Sequence, residues 1–165
     1  MATDRETLAR FKHHVDALKV HRDPVEGPSL KKPLLLLLVI SRLERGLLRQ
    51  NEIRFREVEK ELAELIREFC WRTMSASPCP EQPFERMASS PLWRLHVAEG
   101  VVRGARKALP RRALRDPRTF ATLEDDIFLW LSQSREARAV ATGVVLERWC
   151  PSEKHAPLRT RLGLR

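Results

Sequence analysis

Apolar positions recur at steps of three and four along most of this chain, and the places where that rhythm breaks mark its loops. Leu8, Phe11, Val15 and Leu18 stand between charged residues and predict an amphipathic helix from about Asp4 to Val20, ending ahead of His21-Arg22-Asp23-Pro24. Pro24, Gly27 and Pro28 make a loop in which Ser29 is a candidate N-cap, and Pro33 fits only in the first turn of the helix that follows. That second helix runs to about Arg45, with Gly46 placed to close it. Its run from Leu34 to Ile40 is apolar around the whole circumference, which predicts a buried central helix.

Asn51 to Arg54 read as a short extended link. Phe55, Val58, Leu62, Leu65, Ile66 and Phe69 then mark a third helix. Residues 73–91 hold Pro78, Pro80, Pro83 and Pro91 among serines, a composition that predicts a long irregular loop. After Pro91 the period changes to two: Trp93, Leu95 and Val97 fall on one face and Arg94 and His96 on the other. Ala98-Glu99-Gly100 and Val101-Val102-Arg103 follow, which predicts a β-hairpin with a basic face. Thr122 with Asp125 approximates a capping box for a helix through Leu131, and a last helix runs from about Ser134 to Trp149. The expected fold is mainly α, a helical domain with a small β-hairpin and a winged-helix-like element order. Residues 1–149 form its single domain and 150–165 a basic tail.

Charge changes the picture more than composition does. The 165 residues carry 31 Lys and Arg against 22 Asp and Glu, a formal net of +9, and 165 residues suffice for one core. Residues 94–118 alone hold eight bases and two acids, a net of +6, or two thirds of the total. A segment so biased is the footprint of a protein that meets a polyanion. Gly104, Ala105, Ala108 and Ala113 interleave it with small side chains that let a backbone approach a groove.

Other chemistries find little support. No apolar run approaches the roughly 20 residues of a membrane span, and the N-terminus lacks a signal-peptide layout, so cytoplasmic residence is expected. Cys70, Cys79 and Cys150 are an odd number without C-x-x-C spacing, which predicts reduced structural thiols and no metal site. His13, His14 and Asp16 are too close in sequence to converge on one ion from a helix. With one Asn (Asn51) and five scattered histidines, no clustered metal-nuclease centre is legible. Phosphate-loop, dinucleotide and serine-elbow motifs do not occur. The expectation is a non-enzymatic, monomeric domain without cofactor.

Two stretches then carry a resemblance: Lys32-Pro33 running into the Leu-rich helix that ends Arg42-Leu43-Glu44-Arg45-Gly46, and Ser90-Pro91-Leu92-Trp93-Arg94-Leu95 followed by Glu99-Gly100. Together they resemble the sulfur-binding domain of type IV, McrA-type restriction endonucleases that recognise phosphorothioate-modified DNA. The resemblance spans roughly residues 5–149. It implies that the partner is double-stranded phosphorothioate DNA, and that catalysis lies in a separate HNH nuclease domain of the same full-length chain, with 150–165 leading towards it. Family members carry an aromatic-Pro-Phe motif ahead of the first hairpin strand, and its proline forms part of an apolar cup for the sulfur. The matching residues here are Ser90, Pro91 and Leu92, with Lys32 beside them. This sequence departs from the pattern at Ser90, where the family has an aromatic, and at Lys31, where it has Tyr.

The implied chemistry is sensible in its own right. Sulfur in place of a non-bridging oxygen is larger, softer and more weakly hydrated, so a pyrrolidine ring gains dispersion with it at little solvation cost. An ordinary phosphate oxygen would lose water there without a donor in return, a penalty of roughly 1–3 kcal/mol. The resemblance and the charge pattern together nominate Ser29, Lys31, Lys32, Arg94, His96, Arg103, Gly104, Ala105, Arg106, Lys107, Arg111 and Arg112 as the DNA-binding set. Two alternatives stand beside this reading: a generic winged-helix-like DNA-binding domain indifferent to sulfur, and a helical interaction module whose basic face docks an acidic protein.

Overall fold

The computed structural model describes residues 2–70, 77–104 and 108–165. Helix α1 (Asp4–Asp16) opens on a capping box in which the Thr3 hydroxyl accepts from the Glu6 N–H and the Glu6 carboxylate accepts from the Thr3 N–H. Its apolar stripe puts Phe11 and Val15 into the core. A tight ribbon follows, with β1 (Arg22–Asp23) antiparallel to β2 (Gly27–Pro28), and delivers the chain to α2 (Lys31–Glu44).

Helix α2 is buried without a break from Pro33 to Ser41, as an all-round apolar helix must be. Truncating any of Leu34 to Leu38 to Ala would cost about 2–5 kcal/mol, because no neighbour can relax into the space. The helix ends in a Schellman arrangement: Gly46 sits at φ +71°, its N–H donates to Leu43 O at 3.1 Å, and Leu47 N–H donates to Arg42 O at 2.9 Å. Helix α3 (Phe55–Phe69) packs on α2 through the six apolar residues its periodicity marked.

The Pro-rich stretch is more ordered than its composition suggests. It folds into α4 (Glu81–Arg86), continued by a 3₁₀ turn at Met87–Ser89. Pro80 is the N-cap and Pro83 falls in the first turn, positions where a missing N–H breaks no helical bond. Phe84 anchors the segment, set edge-on to Phe55 at 5.2 Å and to Trp93 at 5.3 Å between ring centroids. Trp93 Nε1 donates to Phe84 O at 2.9 Å.

Strand β3 (Trp93–His96) exists, but its partner is not the expected 101–103. It pairs antiparallel with β4 (Phe120–Leu123), in a register of Trp93 with Leu123 and His96 with Phe120. The reason is burial: Ala121 and Leu123 give β4 an inward face to match Trp93 and Leu95, whereas Val102 is 81% exposed. Ile53 adds a bridge to Ala121, with both backbone hydrogen bonds at 2.8 Å, and the Asn51 amide exchanges two 2.8 Å bonds with the Leu123 backbone. The chain between the strands makes α5 (Arg111–Leu114).

Thr122 therefore lies inside β4 and caps nothing. Helix α6 (Asp125–Gln133) starts after Glu124 without a side-chain cap, and Asp125 and Asp126 complement its N-terminal dipole. Helix α7 (Arg135–Trp149) is capped by Ser134, whose hydroxyl accepts from Ala137 N–H at 3.0 Å. Trp149 Nε1 donates to Val15 O at 2.9 Å and ties the end of α7 to α1.

Residues 150–165, expected as a basic tail, are folded onto the bundle. A 3₁₀ turn at Ser152–Lys154 leads into α8 (His155–Leu162), which buries Leu158 and Leu162 at i, i+4, with Leu164 beyond them. Ser41 Oγ donates to Leu162 O at 2.6 Å, and Arg161 pairs with Glu64 and Glu68 of α3. The architecture is 58% helix and 8% strand, so the mainly helical expectation with a small antiparallel sheet holds. Among the described residues, no helix is long and apolar enough to cross a membrane.

Candidate functional site

Of the six described bases of the segment 94–118, four are paired with a carboxylate. Arg103 lies 3.6 Å from Glu85, Arg111 donates to Glu81 at 2.8 Å, Arg115 forks onto Glu59, and Arg118 is held by Asp116 at 2.8 Å. The Arg118 guanidinium in turn pulls the Asp116 carboxyl down to about 2. Glu85 also accepts from Leu109 N–H at 2.9 Å, so one carboxylate grips both sides of the 103–109 loop. Gly104 N–H closes that loop onto Ala108 O at 2.8 Å. Ala105, Arg106 and Lys107 lie outside the described residues. Of the nominated arginines that are described, Arg94 and Arg112 are exposed and form no ion pair among the described residues.

Arg94 and His96 do share the outer face of the sheet, where alternation puts them opposite Thr122 and Phe120. His96 is committed locally: its ring stacks on Phe120 at 4.7 Å and its Nε2 lies 3.1 Å from Thr122 Oγ1. Arg54 covers the same Phe120 ring at 5.6 Å. Among the described residues, Arg94 is the cation of this face that forms no hydrogen bond or ion pair.

The stronger site lies at the head of α2. An open pocket of about 250 Å³ forms where the end of α1, the start of α2 and helix α4 meet. Lys19, His21, Lys31, Lys32 and Arg86 line it with Ser29, and among the described residues no carboxylate does. Lys32 Nζ is fixed by donating to Lys19 O at 2.5 Å and to Ser89 Oγ at 3.3 Å. Partial burial lowers the Lys32 pKa below its ordinary 10.5, and the positive charges of Arg86 and Lys19 lower it further. Such a cluster of like charges awaits an anion.

Sequence reasoning placed Lys31 and Lys32 here but missed Lys19, His21 and Arg86, which arrive from two other segments, the chain after α1 and the end of α4. No local pattern in the sequence marks them. Ser29 is buried and one residue too early to be the N-cap, a position Leu30 holds. Its hydroxyl accepts from Lys31 N–H at 3.3 Å and so fixes the entry to the helix. Lys31 Nζ reaches Gln82 Oε1 at 3.5 Å, across the pocket mouth.

The Lys32–Ser89 bond connects this pocket to the turn bearing Pro91. Ser90 is buried, and its hydroxyl accepts from Leu92 N–H at 3.2 Å, so it builds the turn rather than a wall. Leu92 is 0% exposed and packs into the core, supporting the turn from behind. Pro91 is exposed, two residues along the chain from the Ser89 that Lys32 contacts. His13, His14, Cys79 and Cys150 do not line this pocket, and Cys70 lies near Lys31 without lining it. His14 Nε2 lies 2.9 Å from Glu124, and burial pushes the Cys70 and Cys150 thiols up to about 11 and about 12.

Fold and site together define a small helical module whose cationic pocket is linked through the Lys32–Ser89 bond to the turn that exposes Pro91, a class suited to a phosphate-like group on a larger polyanion. Over residues 8–165 the chain matches the ScoMcrA-like, DNA sulfur-binding domain family, and it belongs to that family, as the Lys32-Pro33 and Ser90-Pro91 stretches suggested. Its fold is similar to that of the sulfur-binding domain of SprMcrA complexed with phosphorothioated DNA, at 24% identity and a TM-score of 0.73 over 99% of this chain and 98% of that one. The sulfur-binding domain of ScoMcrA complexed with phosphorothioated DNA is similar at 21% identity and a TM-score of 0.73, over 93% of this chain and 95% of that one. In the type IV phosphorothioation-dependent restriction endonuclease ScoMcrA, at 21% identity and a TM-score of 0.64, the match takes in 93% of this chain but 27% of that one. A comparison with curated proteins returned no match.

Proposed function

We propose that this domain binds double-stranded DNA carrying a phosphorothioate linkage, with the modified phosphate at the head of α2 and its sulfur against the Pro91 ring. One observation carries the reading: the Lys32 ammonium, in a pocket without carboxylates, is hydrogen-bonded to Ser89, at the start of the turn that exposes Pro91. A charged phosphorothioate satisfies both halves of that arrangement. Its oxygen accepts from Lys32, and its weakly hydrated sulfur loses little by leaving water for an apolar ring. Lys19, Lys31 and Arg86 hold the adjoining phosphates, and Arg94 and Arg112 reach further along the duplex. His96 acts by bracing the sheet face rather than as a free contact, as its stack on Phe120 favours.

In the complete protein, which we place in the cytoplasm with its DNA, this domain is the targeting part of a modification-dependent nuclease. Cleavage belongs to an HNH domain elsewhere in that chain. Fluorescence anisotropy of two matched duplexes, one with a single phosphorothioate linkage and one without, tests the binding claim at near-physiological salt. The sulfur duplex should bind tenfold or more tighter, the equivalent of about 1.4 kcal/mol. Equal affinity would reduce the domain to a generic DNA binder, and binding of neither duplex would sink the reading. Incubating the domain with DNA and Mg²⁺ should leave the DNA intact, and cleavage would refute the assignment of catalysis elsewhere.

A further inference from the structure

We propose that the outer face of α3 is a second phosphate-contacting surface, which carries the duplex flanking the modified linkage. The proposal rests on the sulfur-binding reading only for which DNA arrives, not for the contact itself. Arg56, Lys60, Ala63 and Arg67 are spaced four, three and four apart, so they form one straight stripe along the helix. At 1.5 Å per residue that stripe is roughly 16 Å long, the rise of about five base pairs at 3.4 Å each. It forms one wall of an open groove of about 470 Å³.

The charges of this helix are sorted. Glu59 is forked by Arg115, Glu61 is held by Arg45 at 2.9 Å and Arg42 at 3.6 Å, and Glu64 and Glu68 are both met by Arg161. Those partners all come from other elements. Arg56, Lys60 and Arg67 form no hydrogen bond or ion pair among the described residues, although Arg56 feels the already paired Asp116. Glu57 turns away from the stripe, into a groove with Arg49 and Arg54. Four of the five acids of helix α3 are thus engaged by other elements, Glu59 among them in the groove wall, while Arg56, Lys60 and Arg67 stay exposed.

The stripe leads towards the pocket at the head of α2. Its Arg67 end lies one turn from Cys70, which is near enough to Lys31 to feel its charge. Helix α4 divides the two hollows: Gln82, Pro83 and Arg86 face the pocket, while Pro80 and Glu81 face the groove. A basic track therefore runs from Lys32 past Lys31 to Arg67, Lys60 and Arg56. Among the described residues, no large apolar side chain lines the groove, and Ala63 leaves room for close approach. A protein partner would want an aromatic or aliphatic anchor there, whereas a phosphate backbone wants only spaced cations.

The test removes the three charges together, as Arg56→Gln, Lys60→Gln and Arg67→Gln, and titrates sulfur and plain duplexes of about 20 base pairs across a salt series. A control variant removes three cations elsewhere, as Arg5→Gln, Lys12→Gln and Arg49→Gln, and circular dichroism melts check that both fold. The stripe variant should bind both duplexes about tenfold more weakly at near-physiological salt and lower the slope of log K against log salt by 2–3, at about 0.9 per lost phosphate contact. The sulfur-to-oxygen ratio should stay unchanged. An unchanged slope, or a loss no larger than the control's, overturns the proposal. If the triple variant misfolds, Lys60→Gln alone should lower the slope by about 0.9, and no change there refutes the stripe equally. A parent that binds both duplexes equally would end the sulfur reading while leaving the α3 slope to decide on its own. A parent that binds neither ends both.

Discussion

Residues 94–118 and the head of α2 are both basic, and they differ in what has been done with the charge. The first holds eight bases in 25 residues, yet Arg103, Arg111, Arg115 and Arg118 are each tied to a carboxylate from within the fold or the same turn. The second collects Lys19, Lys31, Lys32 and Arg86 from three segments around a pocket that no acid lines. A count along the sequence favours the first, and a count after pairing favours the second. An arginine that already has a carboxylate partner gives up part of that contact when it takes a phosphate, so its net contribution is reduced by the modest worth of the pair. Unpaired cations crowded together gain both the new contact and relief from one another.

The sharpest way to break this comparison is to remove one charge from each region. Lys32→Ala should weaken binding of the sulfur duplex by about tenfold to a hundredfold, since a charge-assisted hydrogen bond contributes about 1.5–3 kcal/mol. It should also lower the salt slope by about 0.9. Arg111→Ala should cost less than about threefold. Anisotropy titrations of both variants at one salt concentration decide it, and equal losses would return the weight to the arginine-rich segment.

Pro91→Ala sharpens the division of labour inside the favoured region. The pyrrolidine ring touches only the sulfur in our reading, so its loss should lower the sulfur-to-oxygen affinity ratio by several-fold, on the order of 1 kcal/mol, while plain duplex binds as before. A fall in affinity for both duplexes alike would make Pro91 a prop for the turn and nothing more.

How much of this was legible beforehand follows from the range of each interaction. Helices α2, α3 and α7 are written in local periodicity, and the structure returns them within a residue or two of the expected bounds. The partner of β3 was misplaced because pairing depends on burial 24 or more residues away, which no local alternation encodes. Helix α4 was hidden by its prolines, whose cost vanishes at the N-cap and in the first turn. Helix α8 was hidden because its apolar stripe is two leucines long, Leu158 and Leu162, beneath a basic surface. Lys32, which lines the pocket, and Pro91, exposed near it in sequence, were nominated through short motifs. Lys19, His21 and Arg86 were not, because only the meeting of α1, α2 and α4 makes them neighbours. The ion pairs that silence Arg111 and Arg115 are likewise tertiary, reaching Glu81 and Glu59.

The crowding around Lys32 supplies a smaller effect with a definite sign. In the free domain its pKa lies below 10.5, through burial and then through Arg86 and Lys19. A bound phosphorothioate favours the ammonium and raises that value, so the complex takes up protons where the free domain has lost them. Affinity should fall a few-fold as pH rises through the free-state value into the alkaline range. Lys32→Arg, whose guanidinium stays charged, should bind with no such alkaline decline. A decline that persists in the variant would place the titrating group elsewhere.

The smallest expected effect tests the paired side directly. If Arg111 is silent because Glu81 holds it at 2.8 Å, then Glu81→Gln should release it towards the duplex without adding any cation to the chain. Half-exposed pairs of this kind hold weakly, so the freed guanidinium should tighten binding of both duplexes only about twofold. A change of net charge alone must be separated from that release. Glu147→Gln, which neutralises an exposed acid on α7 far from the pocket in sequence, shifts the formal charge by the same amount and should change affinity less. Tightening by Glu81→Gln beyond that control would show that arginines of 94–118 are a reserve held back by the fold's own carboxylates. Identical behaviour of the two variants would mean that pairing at Glu81 withholds nothing from DNA, and that the weakness of this region has another origin.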